Sequence, residues 1–158
     1  MALGGTGTNS SYVASATIHT SRVVKATSTT GTLPTGGTST GVMTVAECGT
    51  SDQPVGVSQE GCLYAPGLAG TDETIAATSG LGLHVYGLGE TCWVEVDPDG
   101  LAITAGQRVK VTTTTGKIGP VIANVGGQWT LGIAQESGVP GRVVRVFIDP
   151  QQIAVPQS

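Results

Sequence analysis

The residue pattern between positions 104 and 149 leaves room for little except short β-strands joined by tight turns. After the turn pair Ala105-Gly106, Val109, Val111 and Thr113 fall on one side of the chain, and Arg108, Lys110 and Thr112 on the other. A period of two sends alternate side chains to opposite faces, so one face can be buried while the other stays wet. Thr115-Gly116 tolerates positive φ and reverses the chain. Residues 117–125 return as a second strand, which Gly119-Pro120 keeps irregular or at a sheet edge. Gly126-Gly127 turns again, and Trp129, Leu131 and Ile133 share one face of a third strand, with Trp129 expected in the core. Ser137-Gly-Val-Pro-Gly141 leads into a closing strand over residues 142–149, with Val144, Val146 and Ile148 pointing inward. Taken in sequence order, these strands form a four-stranded antiparallel meander.

Composition extends this reading to the whole chain. The sequence of 158 residues holds 25 Gly and 8 Pro, and only 11% of it is charged, against roughly 25% in an average domain. Gly and Thr are poor in helix interiors, whereas Thr and Val suit strands. No sustained helical period survives between the breakers. The expected fold is all-β, a small antiparallel β-barrel or sandwich with extended N- and C-terminal arms. One helical turn is expected at residues 71–77, capped by Thr71 with Asp72 and Glu73 in its first turn.

Three parts follow along the chain. Residues 1–41 hold an N-terminal arm, a first strand candidate at 12–26 and a Thr/Ser/Gly-rich stretch. Residues 42–149 are the β-domain, and residues 150–158 a tail. Residues 27–41 have too little apolar area to offset the entropy of ordering, so they read as a long mobile loop unless a neighbour pins them. The tail is too rich in Pro to continue a central strand. Leu3, Leu33, Ile153 and Val155 are apolar residues with no place in a compact core, and they are expected at an interface. Tyr12 and Trp93 join them as interface candidates. The sequence also echoes itself. Residues 53–60 parallel 130–136, and residues 89–97 parallel 141–149. This suggests two related strand pairs within one small barrel.

Chemistry is sparse. The net charge of −4 and the scattered basic residues speak against a nucleic-acid partner. At 4%, aromatics are too few for a base-stacking platform. No apolar run approaches the length of roughly 20 residues that a membrane-spanning helix needs. Cys48, Cys62 and Cys92 are odd in number and lack CxxC spacing, so free thiols in a reducing cytoplasm are expected. The N-terminus lacks the basic and apolar regions of a signal peptide, which again points to synthesis in a cytoplasm. His19 and His84 are the two histidines, and no G-x-S-x-G elbow accompanies them. Ile118 follows Gly116-Lys117 where a phosphate loop needs Ser or Thr. Gly4-Gly-Thr-Gly-Thr8 lacks the preceding strand of a nucleotide fingerprint. His84, Cys62 and Cys92 lack the spacing of a zinc site. Asp97 and Asp99 belong to the turn Asp97-Pro-Asp-Gly100. These residues give no reason to expect an enzyme, a cofactor or a metal.

A family resemblance gives the chain a role. Ala105-Gly-Gln-Arg-Val, Thr115-Gly116, Trp129-Thr-Leu-Gly-Ile-Ala-Gln, Gly138 and Gly141-Arg-Val-Val-Arg-Val together resemble the C-terminal half of tailed-phage capsid cement, or head decoration, proteins. Pro54-Val-Gly-Val57 is similar to that family's earlier Gly-Val strand. The Thr-rich N-terminal region and the insertion after Cys62 depart from the pattern. The resemblance implies a small β-domain without catalytic residues, present in many copies on the exterior of the capsid. Its partners would be the major capsid protein and itself, a homotrimer ahead of a homodimer. The competing reading is a carbohydrate-binding or adhesion module of a tail fibre or secreted protein. Six aromatics in all, two Trp, three Tyr and one Phe, weigh against it.

Overall fold

The structure is a computed structural model, and it describes residues 11–32, 38–59, 75–122 and 126–154. Every regular element among them is a strand, as expected for an all-β chain. The first half contains β1 (Ser11–Ala14), β2 (Ile18–His19), β3 (Val23–Thr32), β4 (Thr38–Glu47), β5 (Gly56–Ser58), β6 (Ile75–Ala77) and β7 (Gly82–Tyr86). The second contains β8 (Thr91–Glu95), β9 (Arg108–Val111), β10 (Ile118–Pro120), β11 (Trp129–Ala134) and β12 (Val143–Gln152). Strands β1-β4-β3-β5-β7 close into a barrel, β10-β9-β11-β12-β8 form a five-stranded sheet, and β2 pairs with β6.

The two large sheets are one plan used twice. Strands β1, β3, β4, β5 and β7 correspond in order to β8, β9, β10, β11 and β12. Pairing registers confirm the match residue by residue. Val24 opposite Gly56 corresponds to Val109 opposite Gly132, and Val57 opposite Tyr86 to Ile133 opposite Phe147. Ala26 opposite Val45 corresponds to Val111 opposite Ile118, and Tyr12 opposite Leu83 to Val94 opposite Val144. The parallel contact that closes the first barrel, Ala14 beside Val45, returns as a parallel bridge between Val96 and Ile118. Even the small β2–β6 pair has its counterpart, the antiparallel bridge of Ile103 with Gly138. Loop hydrogen bonds repeat as well. The Gly80 N–H donates to the Ala14 carbonyl at 2.8 Å, and the Gly141 N–H to the Val96 carbonyl at 3.2 Å. A slip of one residue in any pairing would flip every side chain on that strand, so agreement across all of them marks a tandem duplication of the fold.

The duplication corrects the sequence echo. Residues 53–60 and 130–136 do correspond, since both supply the central Gly-containing strand. Residues 141–147, however, match 80–86 (Gly-Leu-Gly-Leu-His-Val-Tyr against Gly-Arg-Val-Val-Arg-Val-Phe) and not 89–97. Residues 89–97 contribute β8, which lies antiparallel to β12 as its neighbour. The repeat is therefore two whole sheets, not two strand pairs within one barrel.

Each unit has its own interior. Ala14, Ile18, Val24, Val45, Leu83 and Val85 fill the first. The second holds Val94, Val109, Ile118, Leu131 and the expected trio Val144, Val146 and Ile148, all fully buried. Full burial of a Val, Leu or Ile side chain contributes about 1.5–3 kcal/mol. The second cluster also takes in Val23, Cys48 and Val57 of the first unit. Val23 and Val57 face outward from the first barrel, so the outer side of that barrel is packed against the second unit. This explains why the alternation in residues 12–26 is blurred: Val24 faces one core and Val23 the other.

Several expectations are overturned. The closing strands are not a meander, because β9 sits between β10 and β11 and no β10–β11 hairpin forms. Trp129 is only half-buried, opposite Gln152 near the end of β12. A register shift between Thr130 and Gly132 puts Ile133 on the outer face opposite Phe147. The Thr-rich stretch is no loop over its described part. It forms the long hairpin of β3 with β4, in which Thr30 faces Thr40 and Thr32 faces Thr38, while residues 33–37 lie outside the described residues. Thr favours the pleated surface of a strand. The helical turn expected at residues 71–77 is replaced at Ile75–Ala77 by strand β6, and residues 71–74 lie outside the described residues. Strand β12 runs through Pro150 to Gln152. Its last pairing with β8 is Phe147 opposite Thr91, so Pro150 stands where that side of the strand is an edge and no ladder donor is needed. Strands β1 and β3 precede residue 42 and are staves of the first barrel.

Candidate interaction surface

The junction between the units is built around a residue that sequence reading did not single out. Arg22 is fully buried. Its Nη2 lies 3.0 Å from Oε2 of Glu95, and its Nη1 donates to the Thr115 carbonyl at 3.1 Å. Nζ of Lys117 approaches the other oxygen of Glu95 at 3.2 Å. The β9–β10 turn is pinned by backbone bonds to the first unit: the Val23 N–H donates to the Gly116 carbonyl at 2.9 Å, and the Gly116 N–H to the Cys48 carbonyl at 3.0 Å. Gly116 has φ 71°, and a Cβ there would lie 2.4 Å from the Val23 carbonyl oxygen. Only glycine fits this contact. Arg22 gave no signal in the sequence because Glu95 and Thr115 are far from it along the chain.

The residues that carry chemistry are tied up in structure. Nδ1 of His19 lies 2.7 Å from Oε1 of Glu47, which also accepts from the His19 backbone N–H. His84 packs edge-on against Tyr86 with ring centroids 4.9 Å apart. Cys48 and Cys92 are buried free thiols, and burial pushes each up to about 12. A thiol so protonated is neither nucleophile nor ready metal ligand. Cys62 lies outside the described residues. Asp97 accepts from the Thr112 hydroxyl at 2.9 Å and from the Asp99 N–H at 3.1 Å, as a turn-forming aspartate does. Among the described residues no group of three or more His, Cys, Asp and Glu is placed to hold a metal ion.

What the surface offers is apolar area. Outward-facing positions on β8 and β12 alternate with the core residues, and they carry Trp93 (45% exposed), Val143 (49%) and Phe147 (37%). Arg145 lies opposite Trp93, with its guanidinium carbon 6.0 Å from the ring centroid, within cation–π range. Ile133 of β11 stands opposite Phe147, and Arg108 of β9 opposite Ile133, so one face runs across four strands. Elsewhere, Leu101, Pro120, Ile122 and the stem of Lys110 line an open depression of about 340 Å³. Its polar neighbours are engaged, Asp97 by Thr112 and Lys110 by Gln128 at 2.8 Å.

The expected interface residues do not gather at one place. Trp93 is exposed on the β8–β12 face. Tyr12 is half-buried against the core of the first barrel, opposite Leu83. Ile153 is half-buried and continues the β11–β12 hairpin, donating to the Gln128 carbonyl at 2.7 Å. Leu3, Leu33 and Val155 lie outside the described residues. Alternation puts Val143 and Phe147 on the outward face of β12, but the sequence does not show that β8 and Trp93 lie beside them. Ile133 reads as core because it shares its period-two face with Leu131, and the register shift before Gly132 moves it outward.

Fold and surface together define an all-β protein of two units in tandem, a closed barrel and a five-stranded sheet of the same plan, with apolar area on an outer face. No family model and no curated protein matches the sequence. Among solved structures, the fold is similar to that of the N base of head fiber gp8.5 in bacteriophage phi29, with a TM-score of 0.53 and 14% identity. The match covers 88% of this chain and 91% of that one, so both units take part.

Proposed function

We propose that this chain is a structural protein of a phage head, a cement or decoration protein bound to the exterior of the capsid. The observation that carries the reading is the match of the whole two-unit fold to a head-fiber base. The surface supports it, since it offers apolar area on an outer face. In this reading the chain acts without enzymatic activity or cofactor. It is made in the host cytoplasm, contacts the major capsid protein, assembles with itself as a homotrimer, and stabilises contacts between capsid subunits. Many copies on one shell make a modest contact energy effective. The carbohydrate-binding alternative asks for several open aromatic faces. Among the described residues the exposed aromatics are Trp93 and Phe147, and Arg145 already lies over Trp93.

The test is stoichiometry. Quantitative mass spectrometry of purified particles should find the chain in a fixed ratio to the major capsid protein. The purified protein should bind heads assembled without it and raise their melting temperature. Absence from particles, together with no binding to heads, would overturn the reading.

A further inference from the structure

The duplication also shows where the two units have diverged. Lys25 of β3 stands opposite Ala46, and Lys110 of β9 stands opposite Gly119, at matching positions of the two registers. Each lysine reaches the residue four places before the central glycine of its unit, Gly56 or Gly132. For Lys25 that residue is Asp52, with Nζ 2.7 Å from Oδ2. For Lys110 it is Gln128, with Nζ 2.8 Å from Oε1. The contact is kept and the opposing charge is not. An amide oxygen takes one of the three ammonium donors and leaves the positive charge unmet. Among the described residues no carboxylate stands at ion-pair distance from Lys110. Two further differences make room beside it. Three residues join Ala14 to Ile18 in the first unit, whereas six, Asp97 to Ala102, join the matching Val96 to Ile103. The longer turn supplies Gly100 and Leu101 as a wall of the depression of about 340 Å³, and Pro120 and Ile122 add to its apolar lining. Gly119 leaves the lining bare where Ala46 has a methyl group, and a Cβ there would lie 2.8 Å from Cγ2 of Thr112. Asp97 also lines the depression, but its carboxylate already accepts from the Thr112 hydroxyl and the Asp99 N–H.

We infer that this depression receives a loop of the capsid partner, with an acidic side chain on Lys110 and a neighbouring apolar side chain against Leu101, Pro120 and Ile122. Charge and lining name the occupant together. The Lys110 ammonium has two donors left for an anion, and hydrogen bonds between ionised groups are the strong ones. Lys110 is half-buried, so less water screens such a pair than on an open surface. A purely apolar occupant would cover the ammonium without giving it a partner, which costs desolvation. A cationic one would be repelled. The volume lies at the lower end of the roughly 300–1,000 Å³ of small-molecule sites, which suits two side chains of a loop. The first unit offers no matching site, because Asp52 already neutralises Lys25. Each chain therefore carries one such contact, and many copies on a shell repeat it. The inference rests on the capsid reading and deepens it by stating the chemistry of the partner segment.

Two measurements on the full chain test it. The first is an NMR titration with N-acetyl-leucine, an apolar side chain joined to one carboxylate. The amides of Leu101, Thr112 and Gly119 should shift saturably at millimolar concentration. Lys110→Met, which keeps the stem and removes the charge, should abolish the shifts, and the uncharged N-acetyl-leucine amide should not produce them. The second is binding to heads assembled without the protein. Lys110→Met and Leu101→Asp should each weaken it about tenfold, the scale of a lost charge-assisted hydrogen bond. Lys25→Met makes the same change in the first unit and should leave head affinity unaltered. No saturable shift, or shifts that survive Lys110→Met, would overturn the site, including the case in which a segment of the chain itself fills it. Saturable shifts with head affinity unchanged in Lys110→Met and Leu101→Asp would overturn the partner loop and leave a site for small carboxylates. Failure of wild type to bind heads would overturn the capsid reading and the named partner, while the titration would still decide whether Lys110 and Leu101 hold an apolar carboxylate.

Discussion

A single methyl group separates a paired from a broken ladder at Gly132. A Cβ there would lie 1.9 Å from the Phe147 carbonyl oxygen, and at its counterpart Gly56 a Cβ would lie 2.1 Å from the Tyr86 carbonyl. Backbone cannot move aside as a flexible side chain can. Gly132→Ala and Gly56→Ala should each cost about 2–3 kcal/mol or more, read as a lower urea midpoint. Gly82→Ala is the control, since a Cβ there meets nothing within 4 Å. It should stay within about 0.5 kcal/mol of wild type. The sequence shows these two glycines in matching apolar-Gly-β-branched contexts, which is enough to suspect a repeat. It does not show the carbonyl that each must admit, because that oxygen comes from a strand chosen only by the fold. The buried thiols give a second prediction at this scale. With both pushed up to about 12, Cys48 and Cys92 should label with a thiol reagent at neutral pH only on unfolding, as followed residue by residue with mass spectrometry.

Strand β12 shows what alternation reveals and where it stops. Val144, Val146 and Ile148 point inward as the period of two requires, so Val146→Ala should cost about 1–4 kcal/mol. Val146→Asp should cost more, because a buried carboxylate would have no partner. An unchanged melting temperature for Val146→Asp would place that face outside the core. The same alternation could not say that β12 lies between β11 and β8, or that β9 lies between β10 and β11. Turn residues fix where a strand ends, not which strand becomes its neighbour. The hairpin of β3 with β4 was illegible for a different reason: its Thr-rich strands have little apolar patterning. Between β4 and β5, the carboxyl of Asp52 is held below its ordinary 3.8, first by the Lys25 ammonium at 2.7 Å and then by the Gly49 N–H. A carboxyl that ionises more readily folded than unfolded adds stability above its unfolded pKa and loses it as pH falls through the folded value. This contribution should therefore be complete at neutral pH and fade only below about pH 4. Asp52→Asn should flatten the acid limb of the stability curve there.

At the scale of the molecule, the question is whether two copies of one fold behave as two domains or one. A core cluster that runs from the second unit into Val23, Cys48 and Val57 argues for one. So does Arg22, fully buried, with its charge met by Glu95 of the other unit. Such a pair gives little net stability, because desolvation offsets the attraction, but removing one partner strands the other. Glu95→Ala should cost about 2–3 kcal/mol, less than for a sealed pair because Glu95 remains partly wetted. Arg22→Met should cost less than that, since it removes the buried charge along with its need for a partner. The effect on cooperativity is the sharper readout. Wild type should unfold in urea as one transition, with tryptophan fluorescence and far-ultraviolet circular dichroism coincident. Gly116→Ala forces a Cβ onto the Val23 carbonyl at the seam and leaves both interiors intact. It should therefore split the transition, with Trp93 and Trp129 reporting the second unit alone while circular dichroism reports both. If Gly116→Ala lowered the midpoint but kept the two probes coincident, the seam would be an ordinary part of a single core, and the units could not be treated as separable copies.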